Sequence, residues 1–297
     1  MNPGLLYGAL AFAIWGLFPL YFRQVAAVAP LEVVLHRAAW SLAFIALIVV
    51  PRRRWAWLGN VLRQPRQLVV FCFSALLLGI NAYVYVYAVN SGRVVEASLG
   101  YFINPLVNVL LGVVVLHERL NRAQRIAVAL ATAGVLWLTV LAGHPPWISL
   151  ALAFSFGGYG LLRKMAPLGP LEGLALETLL LAPLVLPLLW WFGVHQGGAL
   201  SRGDPTELAW LVFAGPMTVV PLLLFAASAR RLPLATVGLL QYLGPTIQLA
   251  IGIWLFGEPF GPGRLVGFTL IWASLALYSA DGLLRTRRVT PAATQAG

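Results

Sequence analysis

Glu96, Gly100, Asn104 and Asn108 recur at every fourth position of one apolar stretch. On a helix that spacing draws a single, slowly drifting stripe of polar or side-chain-free positions. A second stretch carries Thr236, Gln241, Gly244, Gln248 and Gly252, and each stretch holds a proline, Pro105 beside Asn104 and Pro245 beside Gly244. A third carries His36, Arg37, Trp40 and Ser41, and a fourth carries Glu177. Amides and hydroxyls on one helix face bind a polar solute by hydrogen bonds. A guanidinium orients a carboxylate through its planar fork. A carboxyl group surrounded by apolar sequence is the kind of residue that relays protons. These are recognition and proton-carrying groups, and nothing among them is an activated nucleophile.

The signatures of other chemistries are missing. His117-Glu118 is followed by Arg119-Leu120-Asn121, so the helical zinc-protease pattern is broken. There is no nucleophile elbow and no phosphate-binding loop, so neither an acyl-transfer enzyme nor an ATP-driven machine is expected. Asp204 and Asp281 are the only aspartates and lie in a loop and at the end of an apolar run. His117, His144 and His195 are scattered over loops or run edges, so no metal site is expected, and no cofactor. The single cysteine, Cys72, excludes an internal disulfide and reads as a small apolar filler.

The elements that must hold these residues are set by composition. Of 297 residues 60% are hydrophobic and 10% charged, against about 25% charged in soluble domains. Mean hydropathy is +0.86. Ten apolar runs are each long enough to cross a hydrocarbon layer as a helix, at about 20 residues per crossing: 4–22, 31–50, 67–89, 95–116, 123–142, 147–163, 171–193, 208–229, 234–256 and 264–284. The runs are continuous and do not alternate, which favours helices over a barrel. Residues 1–6 lack a basic region and no small-residue cleavage site lies near residue 20, so 4–22 reads as a retained span.

A net charge of +11 could suggest nucleic acid, yet the arginines sit in short breaks between apolar runs. With the N-terminus in the cytoplasm, fifteen of the twenty Lys and Arg fall on the cytoplasmic side, four outside, and Arg37 inside a span. That bias places both termini in the cytoplasm. The expected setting is a bacterial inner membrane, with a small-molecule substrate and the lipid bilayer as partners, a homodimer as an option, and no nucleic acid.

The halves match at a constant offset of 140. Arg23 corresponds to Arg163, Pro30-Leu31-Glu32 to Pro170-Leu171-Glu172, Pro105 to Pro245, Gly112 to Gly252 and Glu118 to Glu258. Five spans per half is an odd number, so the halves must be inverted relative to each other, the arrangement of alternating-access carriers whose site lies at midplane. The expected organisation is 1–142, 143–284 and a cytoplasmic tail 285–297. Asn104-Pro105 and Gly244-Pro245 lie about ten residues in, or about 15 Å deep, so both striped helices should be broken by proline at the substrate level. Arg37 and Glu96 come in from the same side and are expected to share the outer half of a cavity, with His36 nearby. Glu177 corresponds to Arg37 and belongs in the inner half. Glu96 and then Glu177 are the expected proton carriers. Asn81, Tyr85, Tyr101, Asn104, Gln241 and Tyr242 are the expected substrate-lining residues. Trp15, Gly16 and Pro19 mark a kink, Trp190 and Trp191 an interfacial belt, and Glu118 and Glu258 span-end residues that cap or pair with Arg119 and Arg264.

Ile14-Trp15-Gly16-Leu17-Phe18-Pro19-Leu20-Tyr21-Phe22, His36-Arg37 and Ala88-Val89-Asn90 resemble the RarD family. So do Glu96-Ala97-Ser98-Leu99-Gly100-Tyr101-Phe102-Ile103-Asn104-Pro105-Leu106, Tyr159-Gly160-Leu161-Leu162-Arg163-Lys164, Leu176-Glu177-Thr178-Leu179 and Leu240-Gln241-Tyr242. RarD proteins belong to the EamA group of drug/metabolite transporters, and the resemblance runs over residues 4–284. It implies an all-α membrane protein of ten transmembrane helices in two inverted five-helix EamA repeats, working as an exporter-like permease for a small metabolite or drug. A channel or lipid flippase is the alternative reading, with an intramembrane enzyme a distant third.

Overall fold

A computed structural model describes the backbone of residues 2–52, 56–91, 94–143, 147–255, 257 and 261–289, and the side chains of these except residues 52, 56, 62, 89–90, 94–99, 142, 279 and 282–289. Fourteen α-helices occupy the described residues: α1 Pro3–Gly16, α2 Phe18–Gln24, α3 Pro30–Val49, α4 Ala56–Leu62, α5 Pro65–Asn90, α6 Val94–Val114, α7 Arg122–Ala142, α8 Trp147–Met165, α9 Pro170–His195, α10 Ala199–Arg202, α11 Pro205–Ala229, α12 Leu234–Leu240, α13 Leu243–Trp254 and α14 Pro262–Val289. Seven stretches among the described residues are long and apolar enough to cross a membrane: 3–24, 30–49, 65–88, 122–141, 170–195, 205–229 and 234–254.

The helix ends follow local chemistry. Prolines open α1, α3, α9 and α11, where the missing N–H would have had no intrahelical partner. Asn2 and Asp204 accept from free amides at their helix starts, and Asn121 with Gln124 forms a reciprocal capping box. Gly143 stops α7 at φ 81°, a left-handed conformation that glycine enters without a Cβ clash.

The bulky apolar residues point outward. Leu47 is 74% exposed, Val140 78% and Trp254 86%. A water-soluble fold would hide such side chains, whereas lipid is as apolar as they are. Cys72 is also exposed and sits on this outer surface rather than filling a helix interface.

Close helix contacts therefore rest on small residues. A Cβ at Gly215 of α11 would lie 2.5 Å from the Trp40 carbonyl oxygen of α3, and one at Gly238 of α12 would lie 2.6 Å from the Pro105 carbonyl oxygen of α6. The main packing pairs join the two halves of the chain: α6 on α8, α7 on α14, α3 on α11, α1 on α11, α6 on α12, α5 on α8, α3 on α9, α1 on α13 and α5 on α9. Under the 140-residue offset these pairs exchange with one another. The α6–α8 pair becomes α1–α13, α1–α11 becomes α5–α8, and α3–α11 becomes α5–α9, while α6–α12, α3–α9 and α7–α14 map onto themselves.

The two proline-bearing striped segments differ. α6 runs through Pro105 without interruption. The other segment breaks between α12 and α13 at Gln241-Tyr242, with Gly244 N donating to Gln241 O at 3.2 Å. The expectation of two broken helices is corrected to one. Pro245 removes the N–H that would have bonded the Gln241 carbonyl four residues back, and the chain tightens there instead. The first segment also breaks, at Leu17 between α1 and α2, two residues before Pro19.

Candidate functional site

The polar residues singled out by spacing separate into three groups along the bundle. At the end where α3 begins and α5 finishes, Arg37 leans between the rings of Phe18 and Phe22, its guanidinium carbon 5.4 and 5.7 Å from their centroids. Its Nε donates to Thr218 Oγ1 of α11 at 3.2 Å. Phe22 packs against Tyr85 at 6.5 Å between ring centroids. Tyr101 is 45% exposed, while Asn108, on the same face of α6 two turns on, is 0% exposed. That face turns inward, so Tyr101 lies on the interior side of α6. Thr218, Phe18 and Phe22 complete this group. The aromatics lay in a motif already notable for its kink, but no sequence spacing joins Thr218 to Arg37.

His36, next to Arg37, belongs elsewhere. It is 1% exposed, with Nε2 3.7 Å from Glu32 Oε1 and Nδ1 accepting from Trp40 Nε1 at 3.2 Å. Glu32 also accepts from the Ala199 amide at 2.5 Å. Successive residues on a helix point about 100° apart, so His36 packs along α3 against Glu32 and Trp40, with Glu32 making the contact to α10, while Arg37 faces Phe18, Phe22 and Thr218. The side chain of Glu96, the expected companion of Arg37, lies outside the described residues, as do Arg93, His144 and Glu258.

The middle group is an interhelical seam. Asn108 Nδ2 donates to Gln241 Oε1 at 2.7 Å, both residues buried. Asn104 is buried and its Oδ1 has no hydrogen-bond partner among the described residues. Tyr242, expected to line the site, is instead fully buried among Ala131, Val135, Leu239 and Ile271, and its hydroxyl donates to the Phe102 carbonyl at 3.2 Å. The turn between α12 and α13 swings Tyr242 toward α7 and α14 and leaves Gln241 on the seam. Asn81 likewise bonds a neighbouring helix, donating to Leu152 O and Ser155 Oγ of α8, each at 3.0 Å.

The third group centres on Glu177, 0% exposed. Its Oε1 accepts from Ser74 Oγ at 2.5 Å and lies 3.6 Å from Arg163 Nη1, and its Oε2 accepts from Tyr159 OH at 3.4 Å. Arg163 is 1% exposed, donates through Nη2 to Pro170 O at 2.9 Å, and sits over Phe71. The network ties α5, α8 and α9 together. Gly173 leaves the space that the Arg163 guanidinium fills. No partner for Arg163 was legible in the sequence, where it falls at a run edge and counts as a topology signal and a repeat mate, and no spacing singles out Ser74. Between this group and Arg37 stands an aromatic block. Trp15 packs on Phe156 at 5.6 Å and on Phe225 at 5.8 Å, and Phe225 stacks on Tyr159 at 6.1 Å.

Glu118 does not pair with its neighbour Arg119. It caps α12, accepting from Leu234 N at 2.7 Å and Ala235 N at 3.1 Å, and lies 3.7 Å from Lys164. His117 just before it takes a left-handed φ of 54°, which turns the chain so that Glu118 meets a helix start more than a hundred residues away. A carboxylate there satisfies free amides and the positive end of the helix dipole.

The EamA-like transporter family matches this chain twice, over residues 2–140 and 146–280. An uncharacterised transporter of Pseudomonas aeruginosa is 46% identical over 289 residues, covering 97% of both chains. Protein RarD of Streptomyces exfoliatus is 43% identical, covering 97% of this chain and 91% of its own length. Protein RarD of Escherichia coli is 38% identical, covering 97% and 98%. One solved structure superposes with a TM-score of 0.72 at 20% identity, covering 97% of this chain and 98% of that one, a likeness of fold. With an all-helical bundle, lipid-facing apolar surfaces and buried polar seams already in place, the chain belongs to the EamA-like transporter family and is a RarD-type membrane permease of the drug/metabolite transporter superfamily.

Proposed function

We propose that this permease is a ten-span, proton-coupled carrier that moves a small organic solute bearing a carboxylate and an apolar portion by alternating access. The observation that carries the reading is the contrast between the two ends of the bundle. One end sets Arg37 among Phe18, Phe22, Tyr85 and Tyr101, which we read as the wall of a substrate recess. The other is sealed by the aromatic block and the buried Glu177 network. A guanidinium flanked by rings takes a carboxylate on its fork and an apolar group on the ring faces. The reciprocal packing of the halves supports two inverted repeats, 1–142 and 143–284, with both termini in the cytoplasm of an inner membrane and the recess opening outward. In this reading α6, α8 and α14 join the seven apolar stretches as spans.

Glu96 and Glu177 carry the proton. Glu177 sits 3.6 Å from Arg163. Protonation would weaken that pairing and loosen α5, α8 and α9 at the sealed end, while substrate occupancy of the recess would favour closure there. Each ligand can shift the equilibrium only through such differential contacts. The test is uptake into proteoliposomes under an imposed pH gradient, screening labelled amino acids, aromatic carboxylates and amphenicols. Saturable, gradient-dependent uptake that is lost in Glu177→Gln and reduced in affinity in Arg37→Ala supports the reading. Uptake indifferent to the gradient and to both Glu96→Gln and Glu177→Gln removes the proton. A folded protein that moves no solute but scrambles lipid removes the carrier.

A further inference from the structure

A cavity of about 440 Å³ opens on the far side of the aromatic block from Arg37, at the ends of α6, α8, α11 and α12 and against α7 and α14. Its charged lining is Arg119, Lys164, Arg230 and Arg231 with one acid, Glu118. Both Glu118 oxygens are engaged by the amides that start α12, and Oε1 also lies 3.7 Å from Lys164, so this single acid offsets one of the four cations and leaves the three arginines without an acid in the lining. Three of those cations are held in place by backbone. Lys164 donates to Ala229 O at 3.3 Å and Leu232 O at 2.5 Å. Arg230 Nη1 donates to Ala166 O at 2.8 Å and also to Leu168 O. Arg231 Nη1 donates to Ala227 O at 2.9 Å, with its guanidinium over the Tyr7 ring. Among the described residues no bond engages Nε or Nη2 of Arg230 or Arg231. Carbonyl contacts through one nitrogen fix a guanidinium while leaving its other edge able to donate.

Preorganised cations around a hollow at the bundle end recognise a compact, multiply charged anion better than a monocarboxylate. The hollow lies at the ends of the spans, the depth of lipid headgroups. We propose that this cavity is a binding site for a phosphate-bearing anion, presented either by an acidic phospholipid headgroup or free in solution. The site is separate from the Arg37 recess and does not depend on transport, so it stands or falls apart from the carrier reading.

The test uses the detergent-purified full chain. Binding of phosphatidylglycerol is measured against phosphatidylcholine, with glycerol phosphate and inorganic phosphate as soluble probes. Arg119→Gln and Arg231→Gln remove charge without taking away the Lys164 and Arg230 carbonyl contacts. Arg202→Gln, in α10 at the opposite end, is the control. Each lining charge removed is expected to weaken binding about 5-fold, near 1 kcal/mol, with the control unchanged. Preference for phosphatidylglycerol with no response to soluble phosphates identifies a lipid site. Binding of the soluble probes identifies a free-anion site. Equal retention of both lipids with no soluble binding overturns the proposal, as does binding that Arg119→Gln and Arg231→Gln leave intact while the variants keep the parent melting temperature.

Discussion

Glu177 and Arg163 carry opposite charges in the driest part of the molecule, and their energetics are asymmetric. Removing one partner leaves the other buried and uncompensated, at a cost of about 3–5 kcal/mol, while replacing both by apolar residues of similar volume is close to neutral. Arg163→Met is therefore expected to lower the melting temperature markedly in detergent, and Arg163→Met with Glu177→Leu to recover most of the loss. If the double variant is as unstable as the single one, the pair is not the source of the instability. Coupled transport should stay absent in the stable double variant, which separates a role in function from a role in folding. At the other end, Arg37→Lys keeps the charge but loses the planar fork and the stacking on Phe18 and Phe22. Its KM for substrate is expected to rise by about 10-fold, or about 1.4 kcal/mol, with the maximal rate far less affected. Equal kinetics for Arg37→Lys and the parent would reduce Arg37 to a point charge.

Helices meet closely here because glycines let backbones approach, and the energetic cost of breaking that pattern is local. Gly238→Ala and Gly215→Ala would force a methyl group against a neighbouring carbonyl oxygen at 2.6 and 2.5 Å. Each is expected to destabilise by about 1–3 kcal/mol through overpacking. Gly59→Ala in α4 meets nothing within 4 Å and should be neutral or stabilising by up to about 1 kcal/mol, since alanine favours helix. Thermal melting of the three variants side by side checks the order, and an equal response in all three would mean that the α6–α12 and α3–α11 contacts can slide apart freely. The cap at α12 belongs to this scale too. Glu118→Ala should cost about 0.5–2 kcal/mol and remove the ion partner of Lys164, loosening the joint between the turn before α7, the end of α8 and the start of α12.

The two halves interlock so fully that neither is a separate folding unit. α1 packs on α11 and α13, α6 on α8 and α12, and α7 on α14, so each half in isolation would expose polar seams such as Asn108–Gln241 to lipid. Residues 1–142 and 143–284 expressed separately are expected to be degraded, and co-expression to restore a stable complex. Stable accumulation of either half alone would contradict this. For topology, a cytoplasmic-only fluorescent reporter at either terminus should be active and a periplasm-only phosphatase inactive. An active phosphatase at the C-terminus would reverse the orientation and place the Arg37 recess on the cytoplasmic side.

The sequence by itself determined the class. Long apolar runs leave no alternative to helices in lipid, because every backbone amide must be satisfied within its own segment, and the run lengths placed the helices to within a few residues. The 140-residue offset, the Trp15–Pro19 kink and the isolation of Glu177 and Arg37 in apolar sequence were equally legible. Only the tertiary structure decided which groups meet. Helical spacing gives a face but not its neighbour, so Arg163 and Ser74 on other helices could not be assigned to Glu177, nor Thr218 to Arg37. The same limit hid the turn of His36 toward Glu32, the burial of Tyr242 behind the α12–α13 break, and the reach of Glu118 to the start of α12. Periodicity is a property of one helix, whereas a partner is fixed by how helices cross, and in this bundle the crossings are set by glycine contacts between segments more than a hundred residues apart.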